Sequence, residues 1–72
     1  MSATTSPDKL VYMVNQIGRF FASQGGEAAV TGTADHIRNF WDPRMRAAIL
    51  AHLAAGGDGL DATARRAVEL LE

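Results

Sequence analysis

The chain contains no cysteine. That excludes disulfides, zinc fingers, thiolate-held iron–sulfur clusters and cysteine nucleophiles, and it fits the cytoplasm. Charge of one sign is also lacking. Seven Lys and Arg stand against eight Asp and Glu, for a net charge of −1. Broad nucleic-acid binding needs a large positive field, so no nucleic-acid partner is expected. Long apolar runs are missing as well. The longest nearly apolar stretch, AAILAHLAA, is far short of the roughly 20 residues that cross a bilayer. The start, MSATTSPDK, has no basic opening and no apolar stretch, and is not read as a secretory signal. A cytoplasmic protein with no membrane partner is the expectation.

What is present favours helices. Hydrophobic residues make up 47% of the 72 residues, but many are alanine, which forms helix well and buries little surface. Residues 1–5 read as a disordered tail and residues 6–72 as a single helical domain. Ser6-Pro7 suits a helix start, serine as cap and proline at the first position. Leu10, Met13 or Val14, Ile17 and Phe20 with Phe21 follow at helical spacing. Gly25 or Gly26 then supplies a stop.

A second helix is expected from about Glu27 to Trp41, with Val30, Ala34, Ile37 and Trp41 on one face and Phe40 beside it. Gly32 and two threonines weaken its middle, so it starts at Glu27 or, shorter, under a Thr33 cap. Pro43 disfavours helix at Asp42, and the same pair opens a third helix, Asp42 as cap and Pro43 as first turn. Met45, Ile49 and Leu53 continue it, with Ala48 and His52 alongside. After AAGGDG, Leu60-Asp61 begins a short last helix carrying Ala64, Val68 and Leu71. No segment alternates as a strand. The expected fold is all-α, a small compact bundle of three to four helices.

The stretch HIRNFWDPRMRAAILAHL concentrates unusual chemistry. The only tryptophan, Trp41, precedes Asp42-Pro43, and Arg38, Arg44 and Arg46 crowd around that step. One reading is a self-contained hinge: Asp42 caps, and Trp41 packs on Arg46, the fourth residue of the new helix. Arg44 and Arg46, however, sit where the helix dipole is positive, which disfavours cations. A helix N-terminus edged by guanidiniums suits an anionic group on another macromolecule. The candidate partner-binding residues are therefore Arg38, Trp41, Arg44 and Arg46, with Phe21 as an aromatic that docks if it turns outward. Phe20 and Phe21 lie about 100° apart around the helix, and the simpler reading has both flanking a broad core stripe. Tyr12 lies off that stripe.

At this corner the chain also resembles a known family. KLVYMVNQIGRFFAS, ADHIRNFWDPRMRAAILAHLAAGG and GLDATARRAVELL, in this order, resemble the delta subunit of soluble NAD-dependent formate dehydrogenase over roughly residues 8–71. His36, Arg38, Phe40, Trp41, Asp42, Pro43, Arg44, Met45 and Arg46 match the signature. The resemblance implies a small cytoplasmic accessory subunit of a molybdenum enzyme complex, without a redox centre or active site of its own. It implies a large alpha subunit that carries bis-molybdopterin guanine dinucleotide and oxidises formate. It also implies beta and gamma subunits with flavin and iron–sulfur centres. The small subunit would assist assembly, stability or maturation by docking on the alpha subunit.

Other constellations are thin. His36 and His52 are the only histidines. With Asp35 they fall short of the converging ligands a metal needs, so no metal site is expected, and His52 reads as packed or hydrogen-bonded. No serine lies in a nucleophile elbow, and the paired glycines lack the lysine of a phosphate loop. Arg65 and Glu69 have pairing distance along a helix. Two further readings stay open. One is a module binding a nucleotide or cofactor phosphate through Arg38, Arg44 and Arg46. The other is a self-associating adaptor using Trp41 or Phe21.

Overall fold

The computed structural model describes residues 6–72, and the expected disordered tail over 1–5 lies outside them. Four α-helices follow one another: α1 over Pro7–Phe21, α2 over Gly26–Phe40, α3 over Pro43–Ala54 and α4 over Ala62–Glu69. A single 3-10 turn, Ala22–Gln24, joins the first two. The fold is all-α, as the sequence pattern predicts.

The helix ends follow local chemistry. Pro7 occupies the start of α1, with Asp8 in its first turn and Arg19 in its last, the arrangement that complements the helix dipole. Ser6 stands at the cap position with extended backbone, yet its hydroxyl makes no cap bond, which corrects one expectation. Gly25 and Gly26 turn the chain into α2 at φ of 74° and 50°, values that L side chains rarely adopt. The alternative of a shorter α2 capped by Thr33 is also corrected. The helix begins at Gly26, and Thr33 is a buried mid-helix residue whose hydroxyl donates to the Ala29 carbonyl at 2.8 Å.

The four helices close around Leu10, Val11 and Val14 of α1, Ile37 and Trp41 at the end of α2, Ile49 of α3, and Ala64 and Val68 of α4. Met45, Ala48 and Leu53 pack partly buried around it. A smaller contact of Val30, Ala34 and Ala67, with Leu71 against it, joins α2 to α4. The small residues let α4 approach closely. A Cβ placed on Gly18 of α1 would stand 3.7 Å from Cγ2 of Thr63.

The connection from α3 to α4 is pinned by side chains from three directions. Nε2 of His52 donates to the Asp58 carbonyl at 2.8 Å. Arg65 donates to the carbonyls of Gly56 and Gly57 at 2.8 and 3.1 Å. Its guanidinium is thus committed to the loop rather than to Glu69, the partner that the spacing permits, or to a merely solvated face. Asn15 of α1 donates to the Gly59 carbonyl at 3.0 Å and accepts from the Asp61 amide at 2.9 Å. Nothing in the local sequence pattern marks Asn15 for that task.

Candidate functional site

The α2–α3 corner is built as the sequence suggests at Asp42 and Pro43. Asp42 has extended backbone, and its Oδ1 accepts from the Met45 amide at 2.9 Å, satisfying a donor that the helix leaves free. Pro43 takes the first helical position.

Trp41 departs from the expected outward edge. It is 5% exposed and packs in the main core cluster. Its backbone leaves the helix at φ −90°, ψ 142°, and this extended step carries the indole inward. The staple geometry differs too: Arg46 reaches the backbone of Trp41 through its guanidinium, donating to the Trp41 carbonyl, with a longer contact of 3.5 Å to the Arg38 carbonyl.

The three arginines therefore have different surroundings. Arg38 binds Asp35 at 2.9 Å and donates to the Leu70 carbonyl, at the end of α4, at 2.8 Å. Arg46 serves the carbonyl that ends α2. The last carbonyls of a helix lack partners and carry partial negative charge. Both cations thus sit at helix C-termini, although Arg46 originates in the first turn of α3. Only Arg44 is exposed without a hydrogen bond or ion pair among the described residues. The corner leaves one free guanidinium for an external anion, which weakens the three-arginine ligand reading.

A different surface carries the exposed apolar area. Phe20 is 76% exposed, Phe40 74% and Tyr12 59%. Phe21 is half-buried against α2. The expectation that both phenylalanines flank the core is thus corrected, and the ring that turns outward is Phe20. Rings run continuously from α1 to α2. Phe20 meets Phe21 edge-on at 5.1 Å, Phe21 approaches His36 at 6.5 Å, and His36 lies 4.8 Å from Phe40. Such spacings are those of favourable aromatic pairs. Gln16, Ile17, Phe20, Phe21 and His36 enclose an open groove of about 290 Å³. Tyr12 borders it along α1, its hydroxyl accepting from Gln16 at 3.2 Å.

Among the described residues no group of three or more His, Asp or Glu is placed to hold a metal ion. Every buried side-chain nitrogen or oxygen there has a hydrogen-bond partner. No described helix is long and apolar enough to cross a membrane.

The family model of the NADH-dependent formate dehydrogenase delta subunit FdsD matches residues 9–68. The chain belongs to that family. The match runs from α1 to the last turn of α4, so it includes the corner, the loop pinned by Asn15 and the aromatic face of this delta subunit. No curated protein and no solved structure matches it. As a delta subunit it is part of a formate dehydrogenase complex with other subunits.

Proposed function

We propose that this delta subunit is a non-catalytic accessory subunit of a cytoplasmic NAD-dependent molybdenum formate dehydrogenase, and that it docks on the large alpha subunit to assist assembly, stability or maturation. Membership of the delta-subunit family over residues 9–68 carries the reading. Two features of the chain support it. Among the described residues every buried side-chain nitrogen or oxygen is hydrogen-bonded within the fold, as with Thr33 to Ala29. The chain's exposed surface instead offers the aromatic rings of Tyr12, Phe20 and Phe40, a residue class enriched at protein interfaces. In this proposal the molybdopterin cofactor, flavin and iron–sulfur centres belong to the other polypeptides, and formate is oxidised there.

The test is co-expression of the tagged delta chain with the alpha subunit. Retention of the alpha subunit on the tag is expected. Without the delta chain, the yield of molybdenum-loaded alpha subunit is expected to fall. A tagged delta chain that never retains the alpha subunit overturns the proposal.

A further inference from the structure

We infer that the face that meets the alpha subunit is the aromatic one on α1 and α2, formed by Tyr12, Gln16, Phe20, His36 and Phe40, and not the α2–α3 corner. The inference rests on the docking proposed above and names the surface and its chemistry.

Four large hydrophobic side chains are exposed among the described residues, and three of them, Tyr12, Phe20 and Phe40, belong to this face. Aromatic rings held in water at such exposure favour burial, and their clustering marks an interaction surface. The ring sequence Phe20, Phe21, His36, Phe40 ties the two helices into one preformed patch. Little ordering is then needed on binding.

The groove defines its occupant's chemistry. Its lining of Gln16, Ile17, Phe20, Phe21 and His36 contains no Asp, Glu, Lys or Arg. No permanent positive charge there recruits a phosphate or an acidic peptide, whereas an uncharged apolar surface is matched by the Ile and Phe side chains. Its volume accepts an aliphatic or aromatic side chain projecting from that surface.

Area distinguishes a large subunit from a second copy. Rings of about 150–250 Å² each, from 59% to 76% exposed, offer about 400 Å² in all. Two copies facing each other through them bury about 800 Å², below the ~1,000 Å² expected of a specific interface. A second copy of the same small convex bundle adds little beyond the rings, whereas a larger subunit with a concave seat also covers the edges of α1 and α2 and reaches that size.

The experiment uses the co-expressed complex with Phe20→Gln, Phe40→Gln, Gln16→Glu and Arg44→Gln in the full-length delta chain. Gln16→Glu removes no apolar atom and keeps a good helix former, so it reports on the face even where a phenylalanine variant folds poorly. Each of the three face variants is expected to weaken retention of the alpha subunit at least tenfold, and Arg44→Gln less than threefold. Wild-type retention with all three face variants retained equally overturns the face assignment and leaves the docking proposal standing. Failure of the wild type to retain the alpha subunit removes both. Light scattering of the isolated chain adds a second arm. A stable dimer that Phe40→Gln dissociates assigns the face to a second copy and overturns the inference, whereas a monomer supports it.

Discussion

The ring of Phe21 lies against the backbone of Gly32 on the facing helix, so close that a Cβ added at Gly32 would fall 2.7 Å from Cδ1. In an isolated helix, Gly32→Ala gains about 1 kcal/mol of propensity. Here the new methyl also meets Cε1 at 3.0 Å and Cγ at 3.1 Å, and a half-buried ring cannot swing away freely. Overpacking of this kind costs about 1–3 kcal/mol. Gly32→Ala is expected to leave the urea midpoint unchanged or lower it. In a Phe21→Ala background the same change is expected to raise it. Such a reversal in a double-mutant cycle locates the cost in the ring, and a stabilising Gly32→Ala in the wild-type chain contradicts the contact.

The same contact shows where sequence patterns stop being informative. Helix boundaries were legible because local chemistry sets them. Ser6-Pro7, Gly25-Gly26 and Asp42-Pro43 all fall where elements begin or end. The stripe Val30, Ala34, Ile37 and Trp41 was legible because a period of 3.6 residues puts it on one face, and all four are buried. The choice between Phe20 and Phe21 was not legible. Adjacent residues differ by only about 100°, and the space at Gly32 on another helix decides which turns inward. Periodicity assigns Trp41 to the core stripe, whereas its charged neighbours assign it to an outer edge. The extended step after α2 resolves this inward, and no period describes such a step. The tasks of Arg65 and Asn15 depend on loop carbonyls 8 to 44 positions away, for which a single sequence carries no signal. The aromatic face is not legible as a surface because its residues come from two helices.

Burial of Trp41 sets an expectation for its variants. Trp→Ala in a packed core costs about 3–5 kcal/mol, a large share of the stability of so small a chain. Trp41→Ala is expected to lose most helical circular dichroism at room temperature, and loss of partner binding in that variant then reports unfolding. Because the chain has one tryptophan, its emission tests the placement directly. A blue-shifted native spectrum that moves red in urea is expected. A native spectrum already like that of exposed indole contradicts it.

The helix caps separate by whether the side chain is engaged. Asp42 accepts from the Met45 amide, whereas Ser6 and Asp61 occupy cap positions without a side-chain cap bond. Asp42→Ala is expected to cost about 1 kcal/mol and Ser6→Ala a few tenths or less. Chemical denaturation of the two variants checks the order, and equal losses argue against the assigned cap.

Asn15 fastens the α3–α4 loop with both ends of its amide. Asn15→Ala deletes a donor to Gly59 and an acceptor for Asp61. Each bond contributes about 0.5–1.5 kcal/mol, and water reaches this site, so a total near 1 kcal/mol is expected. Hydrogen exchange sharpens the test. The Asp61 amide is expected to exchange faster in Asn15→Ala, with the α1 amides little changed.

Arg38, Arg44 and Arg46 lie within nine residues, yet removing each charge is expected to differ in effect. Arg44 contacts no described hydrogen-bond partner, so Arg44→Gln falls in the range of ordinary surface changes, within about 0.5 kcal/mol. Arg46→Gln withdraws the donor from the Trp41 carbonyl, a part-buried group at the negative end of α2, and about 1–2 kcal/mol is expected. Arg38→Gln lies between them, because its bond to the Leu70 carbonyl and its pairing with Asp35 are both solvent-exposed and exposed ion pairs contribute little. The order Arg46, Arg38, Arg44 in thermal unfolding is what a corner that neutralises its own helix ends requires. An equal, negligible loss at all three instead leaves the guanidiniums free and returns the corner to the role of an anion site.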